Sequence, residues 1–309
     1  MNVVAKPEVA KPEAAKPEAA KPEAAKPEAA KPEAAKSGSA RSGAAKPEAA
    51  RAESGEGTVR LSIEGPVARL TFDRPSARNA MTWRMYEELA EACRVISATR
   101  QVRVAVLRGA GGKAFIAGTD IEQFRAFSSG GDGIAYEEKV EHYVGTLEAL
   151  AVPTVAVVEG WAVGGGMALA NACDFRLATP GSRFGVPIAR TLGNCLSASN
   201  VQRLAATLGV SMVKRMLLLA ETPKAEELPP DYVTVVPPDE LDARVEELCA
   251  RLVSHAPITL RVTKEMLRRL AHDPDAADAD LVRETYGSAD FREGVEAFLG
   301  KRPPAWRGE

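Results

Sequence analysis

Two short segments, Ala114-Phe115-Ile116-Ala117-Gly118-Thr119-Asp120-Ile121 and Gly160-Trp161-Ala162-Val163-Gly164-Gly165-Gly166-Met167-Ala168, carry the residue types best suited to chemistry in this chain. Each ends a strand-like run and offers main-chain N–H groups that little side chain shields. Two such donors aimed at one point hold a carbonyl oxygen, such as that of a thioester, as it gains negative charge. This is among the largest single contributions a protein makes to acyl chemistry. The glycine triplet stands between an apolar run at residues 154–158 and the helix formers Met167-Ala168-Leu169-Ala170. It therefore opens a helix whose first N–H groups lack intrahelical partners and carry the positive end of its dipole. Tight helix-to-sheet packing is the competing explanation for the triplet.

The elements that must position these segments follow from periodicity. Residues 58–64 and 67–73 alternate apolar and polar side chains around Gly65-Pro66, which predicts two strands joined by a tight turn. Thr82 then caps a helix that places Met85, Leu89, Cys93 and Ile96 on one face. A short apolar strand is expected at 102–107, a helix at 134–150 and strands at 154–158 and 175–178. Helices follow near 199–208 and 211–219, then a short strand at 233–236 and a mostly helical C-terminal third. Strand, glycine loop, helix, repeated, is an α/β pattern.

Bulk composition narrows the classes. A chain of 309 residues with 45% hydrophobic content can bury a substantial core. Forty basic residues against forty-two acidic ones give a net charge of -2, which favours neither nucleic acid nor an anionic membrane surface as partner. Cys93, Cys173, Cys195 and Cys249 are scattered with no CxxC pair, which argues against a zinc site and a disulfide scaffold and makes a reducing cytoplasm the expected compartment. No apolar run reaches membrane-spanning length and no secretory leader pattern is found. From Ala5 the unit Ala-Lys-Pro-Glu recurs every five residues through Glu33 and returns at 45–48. Recurrent proline and the near-absence of buriable side chains predict an extended, disordered tail over 1–56, a spacer or solubiliser. RNA binding by the tail is a lesser alternative, since each lysine has a glutamate nearby. Gly109-Ala-Gly-Gly-Lys-Ala-Phe matches a dinucleotide or phosphate loop only weakly and reads as a turn.

Six ordered stretches give the chain a resemblance to the enoyl-CoA hydratase/isomerase (crotonase) superfamily over roughly residues 57–308. They are Asp73-Arg-Pro-Ser-Ala-Arg-Asn-Ala, the two segments above with the second extended through Asp174-Phe175, Arg183-Phe-Gly-Val-Pro, Ala256-Pro-Ile-Thr-Leu with Lys264, and Asp290-Phe-Arg-Glu-Gly-Val-Glu-Ala-Phe-Leu-Gly-Lys-Arg-Pro-Pro. The resemblance implies an α/β spiral of ββα units, an acyl-CoA-binding core at 57–255, and a helical C-terminal region at 256–309 that mediates assembly as a homotrimer or dimer of trimers. It implies an acyl-CoA substrate, with coenzyme A as part of that substrate and no separate cofactor or metal. It places the two main-chain donors on Thr119 and Gly165. It sets the CoA against Arg78, Ala80, Ala117, Gly118, Asp120 and Ile121, with Phe298 and Lys301 near the adenosine, in some members from a neighbouring subunit.

The chain departs from the family pattern where proton transfer is done. Hydration in the family uses one glutamate three residues after the middle glycine and another after the proline of Phe-Gly-x-Pro. Here these positions hold Ala168 and Ile188, neither of which moves a proton. Double-bond isomerisation, which usually keeps the second glutamate, is disfavoured too. Near the expected reaction centre stand Arg190, Thr191, Asn194, Cys195 and Ser197. Asn194 can orient a carboxylate, a hydroxyl or water, with a turn role after Gly193 as its alternative. A nucleophilic Cys195 lacks a base nearby in sequence and reads rather as an inert, buried cysteine. Asp120 is expected to support its loop and Glu122 to lie on the helix after it. Glu137, Glu138, Glu141 and His142 lie on a helix from which members of the family sometimes draw catalytic groups, but a charged helical run reads rather as a solvated face, and His255 and His272 read as surface residues. Pro223, Pro229 and Pro230 interrupt a helix that the family usually has.

The leading expectation is therefore an acyl-CoA lyase or isomerase that stabilises a thioester enolate, with decarboxylation of a malonyl-type thioester the step that most simply dispenses with both glutamates. A catalytically inactive acyl-CoA-binding or structural paralogue is the alternative.

Overall fold

The computed structural model describes residues 55–309. The repeat tail expected at 1–56 thus lies, up to residue 54, outside the described residues. β1 (Thr58–Glu64) and β2 (Val67–Asp73) form an antiparallel hairpin turning at Gly65-Pro66. Thr82 accepts the Met85 N–H at 3.3 Å and starts α1 (Trp83–Ala98), which buries Met85, Leu89, Cys93 and Ile96. Three strand-strand-helix units follow: β3 (Val104–Gly109), β4 (Ala114–Ile116) and α2 (Gly130–Glu148), then β5 (Thr154–Val158), β6 (Trp161–Val163) and α3 (Gly165–Ala172), then β7 (Phe175–Ala178), β8 (Arg183–Gly185) and α4 (Ile188–Thr191).

The first strand of each unit joins one sheet and the second joins another. The large sheet runs β1-β2-β3-β5-β7 and is completed by the short parallel strand β9 (Thr234–Val235), and the small sheet runs β4-β6-β8. All pairings beyond the first hairpin are parallel. The chain therefore climbs one ββα step at a time, the spiral that the sequence pattern implies.

Strand periodicity explains the layers. On β3, Ala105 and Leu107 face the main core while Val104 and Val106 face the opposite side. There they meet Leu241, Val245, Cys249 and Leu252 of α6 (Leu241–Ser254). Phe72 and Phe115 pack edge to face at 5.5 Å between the sheets. With both faces covered, β5 is buried at every residue, which is why it reads as an unbroken apolar run.

Boundaries shift where local hydrogen bonds outweigh periodicity. The 102–107 strand starts at Val104 because Val102 N–H closes a turn onto Thr99 O at 3.0 Å. α2 starts four residues before the expected 134 because the Asp132 carboxylate accepts the Ser128 and Ser129 N–H groups, both at 2.8 Å, which makes the glycine-rich loop a first helical turn. The two helices expected after 198 run together as α5 (Ala198–Leu218), broken only at Gly209, where φ is +74°. The proline-rich stretch after it holds a 3-10 turn, Ala225–Glu227, and β9.

The C-terminal third adds α7 (Pro257–His272), α8 (Ala279–Gly287) and α9 (Ala289–Leu299). Lys264 staples α7 to the base of β5, donating to Asp174 Oδ2 at 2.8 Å and Val152 O at 3.1 Å. Buried Asp290 accepts the Arg307 and Gly308 N–H groups and ties down the terminus. Among the described residues no helix is long and apolar enough to cross a membrane.

Candidate functional site

The loop after β4 is held by residues 74–81. Asn79, fully buried, accepts Arg74 N–H at 2.9 Å and donates to Ala110 O and Ala114 O at 3.0 and 2.8 Å. Its φ of +58° is one asparagine tolerates better than most side chains. Ala117 N–H donates to Arg78 O at 3.1 Å, and Met81 exchanges bonds across the loop, its N–H donating to Gly118 O and its carbonyl accepting Asp120 N–H, each at 2.9 Å. Thr119 sits between those two bonds, and no acceptor among the described residues takes its N–H. Asp120 supports the loop: it accepts Glu122 N–H at 3.1 Å and pairs with Arg74 at 2.7 Å. Glu122 stands on a 3-10 turn, Ile121–Phe124, rather than an α-helix.

The second segment meets the first at the start of α3. Gly164 has φ +57° and ψ -123°, a conformation closed to side chains with a Cβ. A Cβ on Gly166 would fall 2.0 Å from Ile116 O, and one on Gly165 would lie 2.7 Å from the Tyr86 hydroxyl, 3.2 Å from Thr119 Oγ1 and 3.7 Å from Thr119 N. Gly166 thus packs helix on sheet, and Gly165 lies beside Thr119. As the first residue of α3, Gly165 has no intrahelical acceptor for its N–H, and none is found among the other described residues.

Thr119 is fixed from its side chain as well. Its Oγ1 accepts the Tyr136 hydroxyl of α2 and shares a hydrogen bond with the Tyr86 hydroxyl of α1, each at 2.9 Å. Burial pushes the Tyr136 phenol up to about 12 and Tyr86 further still, so both remain neutral hydroxyls near neutral pH.

Thr119 and Gly165 open into a cavity of about 210 Å³ that Ala168 and Ile188 line without a proton-bearing group. Its other wall comes from α2 and the 187–200 segment. Asn194 lines the rim in an exposed position, and buried Asn200 stands deeper, donating to Ser197 Oγ at 3.0 Å. Cys195 is exposed, contrary to the expectation of a buried cysteine, because the 190–195 loop runs over the surface. Ala117, Gly118 and Ile121 line the cavity, while Arg78, Ala80 and Asp120 do not, although Arg78 bonds Ala117; Phe298, 85% exposed on α9, and exposed Lys301 in the turn after it do not line the cavity either.

The acidic helix face departs most from expectation. Glu138 and His142 are exposed as expected. Glu141 instead pairs with buried Arg203 of α5, accepting from Nη1 at 2.8 Å, while a Glu148 carboxylate oxygen stands 3.0 Å from Arg203 Nε as an ion pair. His272 is exposed, as expected of a surface residue, and lies 3.3 Å from Glu148. Glu137 lines the cavity, its Oε2 accepting Ser197 N–H at 2.7 Å. Burial pushes its carboxyl above the usual carboxylate range, the Ser197 N–H pulls it back, and the neighbouring Glu141 charge adds a smaller push upward. A sequence signal existed: Glu137 is three residues before Val140 and seven before Val144, on the apolar side of α2.

Residues 62–309 match the sequence model of the enoyl-CoA hydratase/isomerase family. The chain is 32% identical over 250 residues to a short-chain-enoyl-CoA hydratase of Clostridium acetobutylicum, covering 79% of this chain and 95% of that protein. It is 31% identical to a crotonyl-CoA hydratase of Syntrophomonas wolfei over 78% of this chain and 95% of the other. The crystal structure of an enoyl-CoA hydratase/carnithine racemase from Magnetospirillum magneticum superposes with a TM-score of 0.75 at 34% identity, covering 81% of this chain and 96% of that one.

Proposed function

Because the chain belongs to the enoyl-CoA hydratase/isomerase family, which acts on acyl-CoA thioesters, we propose that it holds the thioester oxygen of its substrate between the Thr119 and Gly165 N–H groups and stabilises the enolate. The observation that carries this reading is the pair of unclaimed N–H groups side by side at the mouth of a cavity. Such donors act on charge that develops in the transition state and need no reorganisation when it appears.

Ala168 and Ile188 set the direction of the reaction. Water addition needs one group to deprotonate the water and another to protonate the α-carbon, and the two positions where the family carries them are apolar here. Loss of carbon dioxide from a malonyl-type thioester creates the enolate without a base and is the step best matched to this wall. The CoA lies along Arg78–Ala80 and Ala117–Ile121. Phe298 and Lys301, which do not line the cavity of their own chain, reach the adenosine of a neighbouring copy in a homotrimer or dimer of trimers, and Asn194 orients the departing carboxylate at the rim. Coenzyme A enters as part of the substrate, and the compartment is the cytoplasm.

Incubation with malonyl-, methylmalonyl- and crotonyl-CoA followed by mass analysis separates the routes. The expected product has lost carbon dioxide. A gain of water on crotonyl-CoA contradicts the reading, and isomerisation would preserve mass while shifting the spectrum. The apolar Ala168 and Ile188 also favour a second reading, an acyl-CoA-binding protein without turnover, for which calorimetry shows binding while no thioester of a broad panel is converted.

A further inference from the structure

Enolate chemistry needs a group that gives a proton to the α-carbon, and the two family positions for it are apolar here. Among the described residues lining the cavity, Glu137 is the one carboxyl. It sits one residue after Tyr136, whose hydroxyl touches Thr119, and three before Val140, which lines the same cavity. Helix α2 therefore presents the carboxyl to the cavity. Ser197 N–H fixes Oε2, while Oε1 makes no hydrogen bond with any described residue. Glu141, one turn further along, is neutralised by Arg203 and so is engaged elsewhere.

We propose that Glu137 is the group that exchanges a proton with the α-carbon of the enolate held by Thr119 and Gly165. The proposal rests on the oxyanion reading above. In decarboxylation the bond between the α-carbon and the departing carboxylate breaks, its electron pair passes into the enolate, and carbon dioxide leaves. The Glu137 O–H bond then breaks, its proton forms the new C–H bond, and the carboxylate recovers a proton from water. The raised carboxyl keeps more of the acid form available than a solvated glutamate would. In reverse, with a saturated thioester, the Glu137 carboxylate removes an α-proton and returns one. The cycle involves no net oxidation or reduction.

The reverse step gives a test that does not depend on which acyl group is natural. Full-length protein is incubated with butyryl-CoA in deuterated water, and deuterium at the α-carbon is followed by mass spectrometry or NMR. The wild-type chain should exchange. Glu137→Gln, which keeps an acceptor for Ser197 N–H, should slow exchange at least about 100-fold, the usual scale of a positioned acid or base. Its calorimetric affinity for butyryl-CoA should stay within a few-fold, Glu137→Asp should recover part of the rate, and Glu138→Gln should behave as wild type. Exchange at the wild-type rate in Glu137→Gln, together with its loss in Gly165→Val, overturns the role of Glu137 and leaves the enolate reading standing. Loss of binding together with exchange makes Glu137 a substrate-holding residue and also overturns the proposal. A wild-type chain that binds butyryl-CoA but neither exchanges its protons nor converts any thioester overturns both readings.

Discussion

The two walls of the cavity are built on different principles. The wall of Thr119 and Gly165 is main chain, held by Asn79, Met81 and the hydroxyls of Tyr86 and Tyr136. The facing wall, from α2 and the 187–200 segment, presents side chains: Glu137, Ile188, Asn194 and Asn200. A main-chain wall survives wide change in sequence, because its donors belong to every residue but proline, and it fixes what is stabilised. A side-chain wall changes with each substitution, and it decides which proton moves. On the proposed reading, apolar residues at both glutamate positions alter the reaction without touching the oxyanion contact.

Substitutions aimed at one wall and then the other should separate these roles. The largest effect is expected from Gly165→Val, whose Cβ would press on the Tyr86 hydroxyl at 2.7 Å and crowd Thr119. Turnover or α-proton exchange should fall by about 100- to 1,000-fold, while circular dichroism retains the wild-type signature. Asn79→Ala removes three hydrogen bonds that brace the same wall and should cost about 2–4 kcal/mol, read as a lower midpoint in chemical denaturation. Tyr136→Phe deletes one of two bonds to Thr119 Oγ1 and should lower kcat/KM only about five-fold, or about 1 kcal/mol. If it abolishes activity, the hydroxyl itself takes part in the chemistry and the division between the walls fails.

The smallest effect is a displaced pH profile. Exchange of α-protons requires the Glu137 carboxylate as base, so its rate should rise with pH and level off once that group has ionised. Because burial and the nearby Glu141 outweigh the stabilising Ser197 N–H, the midpoint should lie above the ordinary 4.5 of a glutamate. A profile centred at or below that value would show a solvated carboxylate, with no place in the cavity wall.

Legibility in the sequence divides along the same line. The β1–β2 hairpin, the Thr82 cap, the β5 strand and the glycine opening of α3 were all readable, because alternation, capping chemistry and glycine punctuation are local signals. The ββα spiral followed from the resemblance, and the observed strand order agrees with it. Glu137 was not singled out from Glu138 and Glu141, because a run of Glu-Glu-Lys looks solvated until the helix is turned to show which residue meets the 187–200 segment. The Arg203 bridge to Glu141 and Glu148 was equally hidden, since it joins residues about sixty positions apart on different helices. Asn200 and the paired tyrosines on Thr119 depend on tertiary packing alone.

A crystal structure with a non-hydrolysable acyl-CoA analogue tests the central claim most directly. The account predicts the carbonyl oxygen about 2.7–3.1 Å from both Thr119 N and Gly165 N, with the α-carbon turned toward Glu137. A carbonyl directed away from either N–H, or an acyl chain seated outside the cavity lined by Ala168 and Ile188, would contradict it.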